Sequence, residues 1–452
     1  MHRSKMVISG LALIAAAISA APGSAMAATA GVGQARAAGT MMEHTATEHP
    51  AGQTITRHAV ISTRLLSERA MQRTISAGAV RLVSATLSHA TRAGTFGPEF
   101  AQQPTLTVDD GANGLFGYSE AVQGSTLVVG APGVGAGGSV YVFTRTRGTW
   151  SEAELLTSTA PAGVNLGATV AIQGSTIAAD APGYGEDDQG AVYVFTSHRG
   201  TWSQAAVLTA PDVAGGNLGS GLAISGDRIA AGAPGDGTDS QGSVYIYTGA
   251  GRDWSEPVEL TASDGDNGWL GNTVQLSGNT LAASAQQAGG GQGAVYVYTD
   301  NRGTWSEPTE LTASDGDNGQ LGSSLALCGD LLAAGAPDAG TDSQGAVYIY
   351  RGRGLSWSNP AEVTVSDGDN GNLGGIVGLA GQELVTAATG AGTLYLFALS
   401  RDGWRQQQSF STPTGGGIGL TDGADQDTIA IGSPGVGEND EGAVYMFAAR
   451  YW

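Results

Sequence analysis

The sequence predicts an all-β protein, a seven-bladed β-propeller of four-stranded blades. Three observations predict it: a unit of about fifty residues recurs seven times, each unit reads as four short strands, and the seventh lacks a fourth strand that a segment before the first can supply. Composition agrees. Of 452 residues 73 are glycine, roughly twice the usual share, and 41% are hydrophobic, enough for a sizeable core. Glycine destabilises helix interiors, and here it recurs beside Val, Tyr, Ile and Thr, the residues of turn-dense β structure. No Gly-X-Y period is present, which excludes collagen.

The recurrence is carried by four markers. Trp150, Trp202, Trp254, Trp305, Trp357 and Trp404 are spaced 52, 52, 51, 52 and 47 residues apart. A bulky residue precedes Gly at Phe116-Gly117, Leu166-Gly167, Leu218-Gly219, Leu270-Gly271, Leu321-Gly322, Leu373-Gly374 and Ile418-Gly419. A Gly-Ala-Pro step is intact at Gly130, Gly232 and Gly335, altered at Asp180 and Gly432, and lost in units four and six. A "VYVF"-like run contains Tyr141, Tyr193, Tyr245, Tyr296, Tyr348, Tyr395 and Tyr445.

In the fifth unit the strands are expected at 321–327, 331–335, 346–350 and 357–364. The third alternates Val and Ile with Tyr, as a strand packed on both faces does. The seventh unit stops after its third strand, but Phe100 and Leu106 repeat the six-residue spacing of Trp305 and Leu311. Residues 100–108 are therefore expected to complete the last blade, close the ring and remove an exposed sheet edge. Six Trp and Phe100 would then form seven equivalent anchors.

"FG", "GAP" and "VYVF" in this order resemble the FG-GAP repeat, the unit of the seven-bladed propeller at the N-terminus of integrin α subunits and of many secreted bacterial proteins. The resemblance covers roughly residues 100–452 and implies fold more specifically than activity. Integrin-type repeats often hold Ca²⁺ in an Asp-x-Asp-x-Asp-Gly loop between strands one and two. Here that connection is a short turn such as Gln123-Gly124, so calcium does not carry over directly.

Residues 1–27 read as a secretory signal: Arg3 and Lys5, an apolar run, then Ala25-Met26-Ala27. Residues 28–98 read as a basic low-complexity spacer or propeptide with a stretch that can form helix, and 99–452 as the propeller. No apolar stretch is long enough to span a membrane. The expected product is a secreted monomer, with periplasmic or cell-surface residence as alternatives.

Charge divides the chain: residues 1–105 carry +5 and residues 106–452 carry −26, within a net −21. Such acidity argues against nucleic acid. Strand alternation places the two-to-three and four-to-one loops, which hold most aspartates, on one rim, and the arginine-bearing turns on the other. The acidic rim can concentrate cations or a basic partner. Candidate ligand-binding residues there are Asp236, Asp239, Asp338 and Asp342, with Trp269 and Tyr184 as aromatic contacts.

"SDGDNG" occurs three times on this rim, making Asp264, Asp266, Asp315, Asp317, Asp367 and Asp369 candidate Ca²⁺ ligands. Each loop supplies only part of the six to eight oxygens calcium needs, and Asp, Asn and Gly also make turns, which is the favoured reading.

One His in the array, His198, and one thiol, Cys328, leave no nucleophile and base pair and no zinc-type cluster. The expected function is non-enzymatic: adhesion-type contact with an extracellular protein or matrix through the acidic face. The alternatives are a lectin-like glycan binder using Trp269 and, less favoured, a polysaccharide-cleaving enzyme. Loss of Gly-Ala-Pro in units four and six reads as drift.

Overall fold

Strands in this chain are short because turn residues punctuate them, and neighbours in sequence pair as neighbours in space. The computed structural model describes residues 99–108, 113–157, 162–211, 215–262, 268–313, 319–365, 371–411, 422–425, 428–437 and 439–450. The signal and spacer expected at 1–27 and 28–98 lie outside them. Seven antiparallel sheets follow one another as blades 1 to 7, spanning 119–156, 170–208, 222–260, 274–311, 325–363, 373–411 and 422–450. Each blade runs inner, second, third and outer strand, in blade 1 Ser119–Gln123, Thr126–Ala131, Ser139–Thr146 and Thr149–Leu156.

The last blade is completed from the other end of the chain. Glu99–Gln102 pairs antiparallel with Ala443–Arg450, Phe100 opposite Ala449, and Leu106 bridges Val444. Leu156 stands opposite Val140 and Trp150 opposite Arg145 in blade 1, so Phe100 and Leu106 hold the positions that Trp150 and Leu156 hold there. This closure seals the ring and covers the outer edge of the third strand of blade 7.

Seven hydrophobic clusters fill the joints between blades, and each contains one expected anchor. Trp150, Trp202, Trp254, Trp305, Trp357 and Trp404 pack half-buried against six of them, and buried Phe100 belongs to the seventh with Phe410 and Phe447. The third strand feeds two joints at once. In blade 3, Tyr245 and Tyr247 face blade 2 while Val244 and Ile246 face blade 4, as the alternation predicts.

"FG" and "GAP" prove to be two halves of one contact. The first Gly of the step in one blade lies against the backbone of the Gly after the bulky residue in the next: Gly130 on Gly167, Gly232 on Gly271, Gly335 on Gly374, and Gly432 on Gly117 across the closure. A Cβ at Gly232 would overlap the Gly271 carbonyl oxygen. Gly232 is thus required for space, whereas Gly271 (φ 93°) is required also for its backbone. The bulky residue bridges the preceding blade, Leu321 to Gly293 for example. For that reason the fifth inner strand is Leu325–Cys328 and not the longer 321–327 expected.

The outer strands also depart from expectation. Blades 1, 2 and 6 have continuous ones with a bulge three residues after the Trp, where Ala153, Ala205 and Gln407 are the extra residues. Blades 3, 4 and 5 carry Pro257, Pro308 and Pro360 at that position. Their outer strands are cut to Val258–Leu260, Thr309–Leu311 and Ala361–Val363, with Asp253–Trp254 and Ser356–Trp357 as separate pieces. Proline is admitted where a bulge already leaves its residue out of the ladder; the ladder then lapses at the residues just before the proline and resumes with the residue after it.

Candidate functional site

Antiparallel alternation puts the two-to-three and four-to-one loops together. Leu166 N–H donates to Gly137 O at 2.8 Å and Gly215 N–H to Asp187 O at 2.7 Å, each bond joining a four-to-one loop to the preceding blade's two-to-three loop. On this rim Asp187, Asp188, Asp239, Asp342 and Asp440 adopt positive φ between 52° and 60°, the left-handed turn conformation that Asp tolerates. They are exposed.

On the opposite rim Arg147, Arg199 and Arg302 sit in three-to-four turns. Arg228 donates to Asp300 at 2.7 Å there, tying the inner turn of blade 3 to the outer turn of blade 4. His198 is exposed on this side.

The candidate rim residues divide. Trp269 is 41% exposed with φ 58°, at the position occupied by Leu115, Asn165, Asn217, Gln320 and Asn372 in other blades, all left-handed. Asp239 and Asp342 also face solvent. Asp236 is buried: its Oδ2 accepts from the Tyr245 hydroxyl at 2.6 Å and its Oδ1 from the Gly237 N–H at 2.7 Å. Burial, followed by this bond to Asp236, pushes the Tyr245 hydroxyl far above its ordinary pKa. Tyr184 is half-buried, edge-on to Tyr193 with centroids 6.3 Å apart. The Asp338 carboxylate accepts from Gln320 Nε2 at 2.7 Å and Asn372 Nδ2 at 3.2 Å.

The six SDGDNG aspartates lie outside the described residues, among which no three His, Cys, Asp or Glu groups converge as a metal site. The inner turns do not fit a family-type calcium loop either. Two residues connect the strands, as between Gln123 and Thr126 or Ser277 and Thr280, too few for an Asp-x-Asp-x-Asp-Gly ligand set.

Sequence reasoning missed the central channel. Inner strands enclose a cavity of about 870 Å³, within the range of small-molecule sites. Its lining includes Tyr118, Asn272, Gln275, Gln286, Ser323 and Asp338, and no Lys, Arg or His among the described residues. A helical-wheel style of reading along one strand cannot show it, because the lining gathers one or two residues from each blade. The available signal was comparison of equivalent positions across units.

Asp180 lies at one wall of this channel, at the position held by Gly130, Gly232, Gly335 and Gly432 in blades 1, 3, 5 and 7. Its carbon is accommodated because Gly219 has no Cβ; one built there would lie 2.6 Å from that of Asp180. The carboxyl accepts from the Thr169 N–H at 2.5 Å. Burial raises its pKa well above the usual carboxylate range, and backbone N–H groups of Thr169, Ala168 and Asp180 offset this only in part. A folded pKa above the unfolded one means that stability is fully present below the unfolded pKa and is lost as pH rises through the folded value. Asp180→Asn should therefore gain on wild type as pH rises above about 4, a trend that urea denaturation at several pH values will read. A constant difference between the two proteins would show that Asp180 titrates normally.

Described residues contain no helix long and apolar enough to cross a membrane. The ring is a propeller in which glycines of the FG and GAP steps meet at four of the blade joints. Comparison with known families agrees: the FG-GAP repeat model matches residues 100–143, 202–247, 254–298 and 305–350, and the chain carries FG-GAP repeats. Integrin alpha-7 of Rattus norvegicus and of Mus musculus are each 40% identical over 67 residues, 14% of this chain and 6% of the relative. The match thus spans a small part of those relatives' length.

Proposed function

We propose that this protein is an extracellular, non-enzymatic binding propeller that contacts a protein partner through its acidic rim. The observation that carries the reading is the rim itself: exposed aspartates at left-handed loop tips share it with Trp269, which lies against the Asp239-Ser240 tip through its N–H to Ser240 O and is a large aromatic held exposed in a backbone conformation that costs a non-glycine residue about 1 kcal/mol or more. Similarity to integrin alpha-7 supports a protein partner over a nucleic acid. The acidic field attracts a basic surface and Trp269 supplies desolvated contact area.

Binding of labelled protein to intact cells and to immobilised extracellular matrix tests this. The pair Asp239→Lys and Asp342→Lys should slow association and flatten its salt dependence, and Trp269→Ala should weaken binding about tenfold or more, as loss of a central aromatic does. Equal binding by all variants, or none by wild type, would reject the rim. The same exposed Trp269 favours a second reading, a glycan contact by stacking. A glycan array on wild type and Trp269→Ala separates the two.

A further inference from the structure

Blade 4 departs from the other blades at three channel-facing positions, each time by an amide. Asn272 stands where other inner strands have Tyr118, Ala168, Ser220, Ser323 and Gly375. Gln275, opposite Ala282, occupies a level held elsewhere by Ala121, Ala171, Ala223, Ala326 and Gly378. Gln286 replaces the proline of the step, present as Pro132, Pro182, Pro234, Pro337 and Pro434, and in blade 6 Thr389 takes that place. The two units that lost Gly-Ala-Pro have thereby both put a polar side chain into the channel lining.

Asn272, Gln275 and Gln286 are half-buried and make no side-chain hydrogen bond among the described residues. Tyr118 completes the arrangement. It is the one aromatic at its level among the described blades, and blade 1 lies three of seven steps from blade 4, close to diametrically across the channel. The carboxylates in the lining are engaged internally: Asp338 by two amides, Asp180 by backbone N–H, and Glu120 by the Gly432 N–H at 2.9 Å.

We propose that the central channel binds a neutral polyhydroxylated ligand, a mono- or disaccharide, between the Tyr118 ring and the three blade 4 amides. Amides donate and accept together, which suits adjacent hydroxyls, and an aromatic face suits the C–H side of a sugar ring. Among the described residues the lining has no cation to hold an anionic ligand, and its carboxylates are engaged by amides and backbone N–H groups.

Saturation-transfer NMR and calorimetry with glucose, galactose, mannose, N-acetylglucosamine, cellobiose and maltose test the proposal. Gln275→Ala, Gln286→Pro and Tyr118→Ala each install a residue that another blade carries at that level or one close to it, and melting curves report whether each ring is intact. At least one sugar should bind wild type, with affinity reduced about tenfold or more in intact variants and unchanged in Trp269→Ala. No transfer to any of these sugars, binding indifferent to all three channel substitutions, or binding lost only in Trp269→Ala would overturn it. The last outcome would move the sugar to the rim, and none of them bears on protein contact there. A response to short peptides in place of sugars would likewise reject the ligand class.

Discussion

Gly232→Ala should prevent assembly of a stable ring, at a cost above about 4 kcal/mol, beyond the ordinary range for one substitution. Its φ is not in the left-handed region, so backbone preference alone would favour alanine. Contact decides the sign. The added methyl would meet the carbonyl of Gly271, and backbone in a neighbouring blade cannot rotate aside as a flexible side chain does. Gly226→Ala is the control: φ is 65° but nothing lies within 4 Å, so only the left-handed cost of about 1–2 kcal/mol applies. Guanidinium denaturation of the two variants should show a near-wild-type transition for the second and no cooperative transition, or a greatly lowered midpoint, for the first. Similar midpoints would mean that the blades slide apart freely at this joint.

Phe100→Ala should be the next most damaging change, at about 3–5 kcal/mol for a buried aromatic. Phe100 is 4% exposed and packs in the cluster of Phe410 and Phe447, and among the described residues its strand pairs the outer edge of the third strand of blade 7. Removing residues 99–106 goes further, because the edge of Ala443–Arg450 then lies open to pairing with another chain. Phe100→Trp, which installs the residue of the other six blades, should retain the fold. Melting temperature and size-exclusion elution volume will separate these outcomes. A truncated protein that stays monomeric and melts as wild type does would show that the closing strand is dispensable.

Blade number, the closing strand and the seven anchors were legible in one sequence because a repeat samples the same environment seven times. Recurrence filters out local accident, as the Trp spacing and the Phe100 to Leu106 interval do here. The cut outer strands were legible in principle, since Pro257, Pro308 and Pro360 fall at one position of the unit, but only the bulges of blades 1, 2 and 6 show why proline is admitted there. Among candidate rim residues, the alternation of strands and loops placed Trp269, Asp239 and Asp342 correctly at the acidic rim. Nothing in the local pattern distinguished exposed Asp239 from Asp236, three residues earlier, whose carboxylate is turned inward onto Tyr245.

By itself, then, the sequence determined what repeats: the strand count of a blade, the number of blades, the anchors, and the segregation of acidic loops from arginine turns. These follow from local periodicity and chain order. Tertiary structure alone decided what the repeats do to each other. It showed that FG and GAP are one joint between successive blades, that Asp180 is buried where four other units carry glycine, and that Asn272, Gln275 and Gln286 of one blade line the same channel as Tyr118 of another. The physical reason is that a channel and a joint are built from residues far apart in the chain, whose meeting depends on ring closure and on the angle at which each blade stacks.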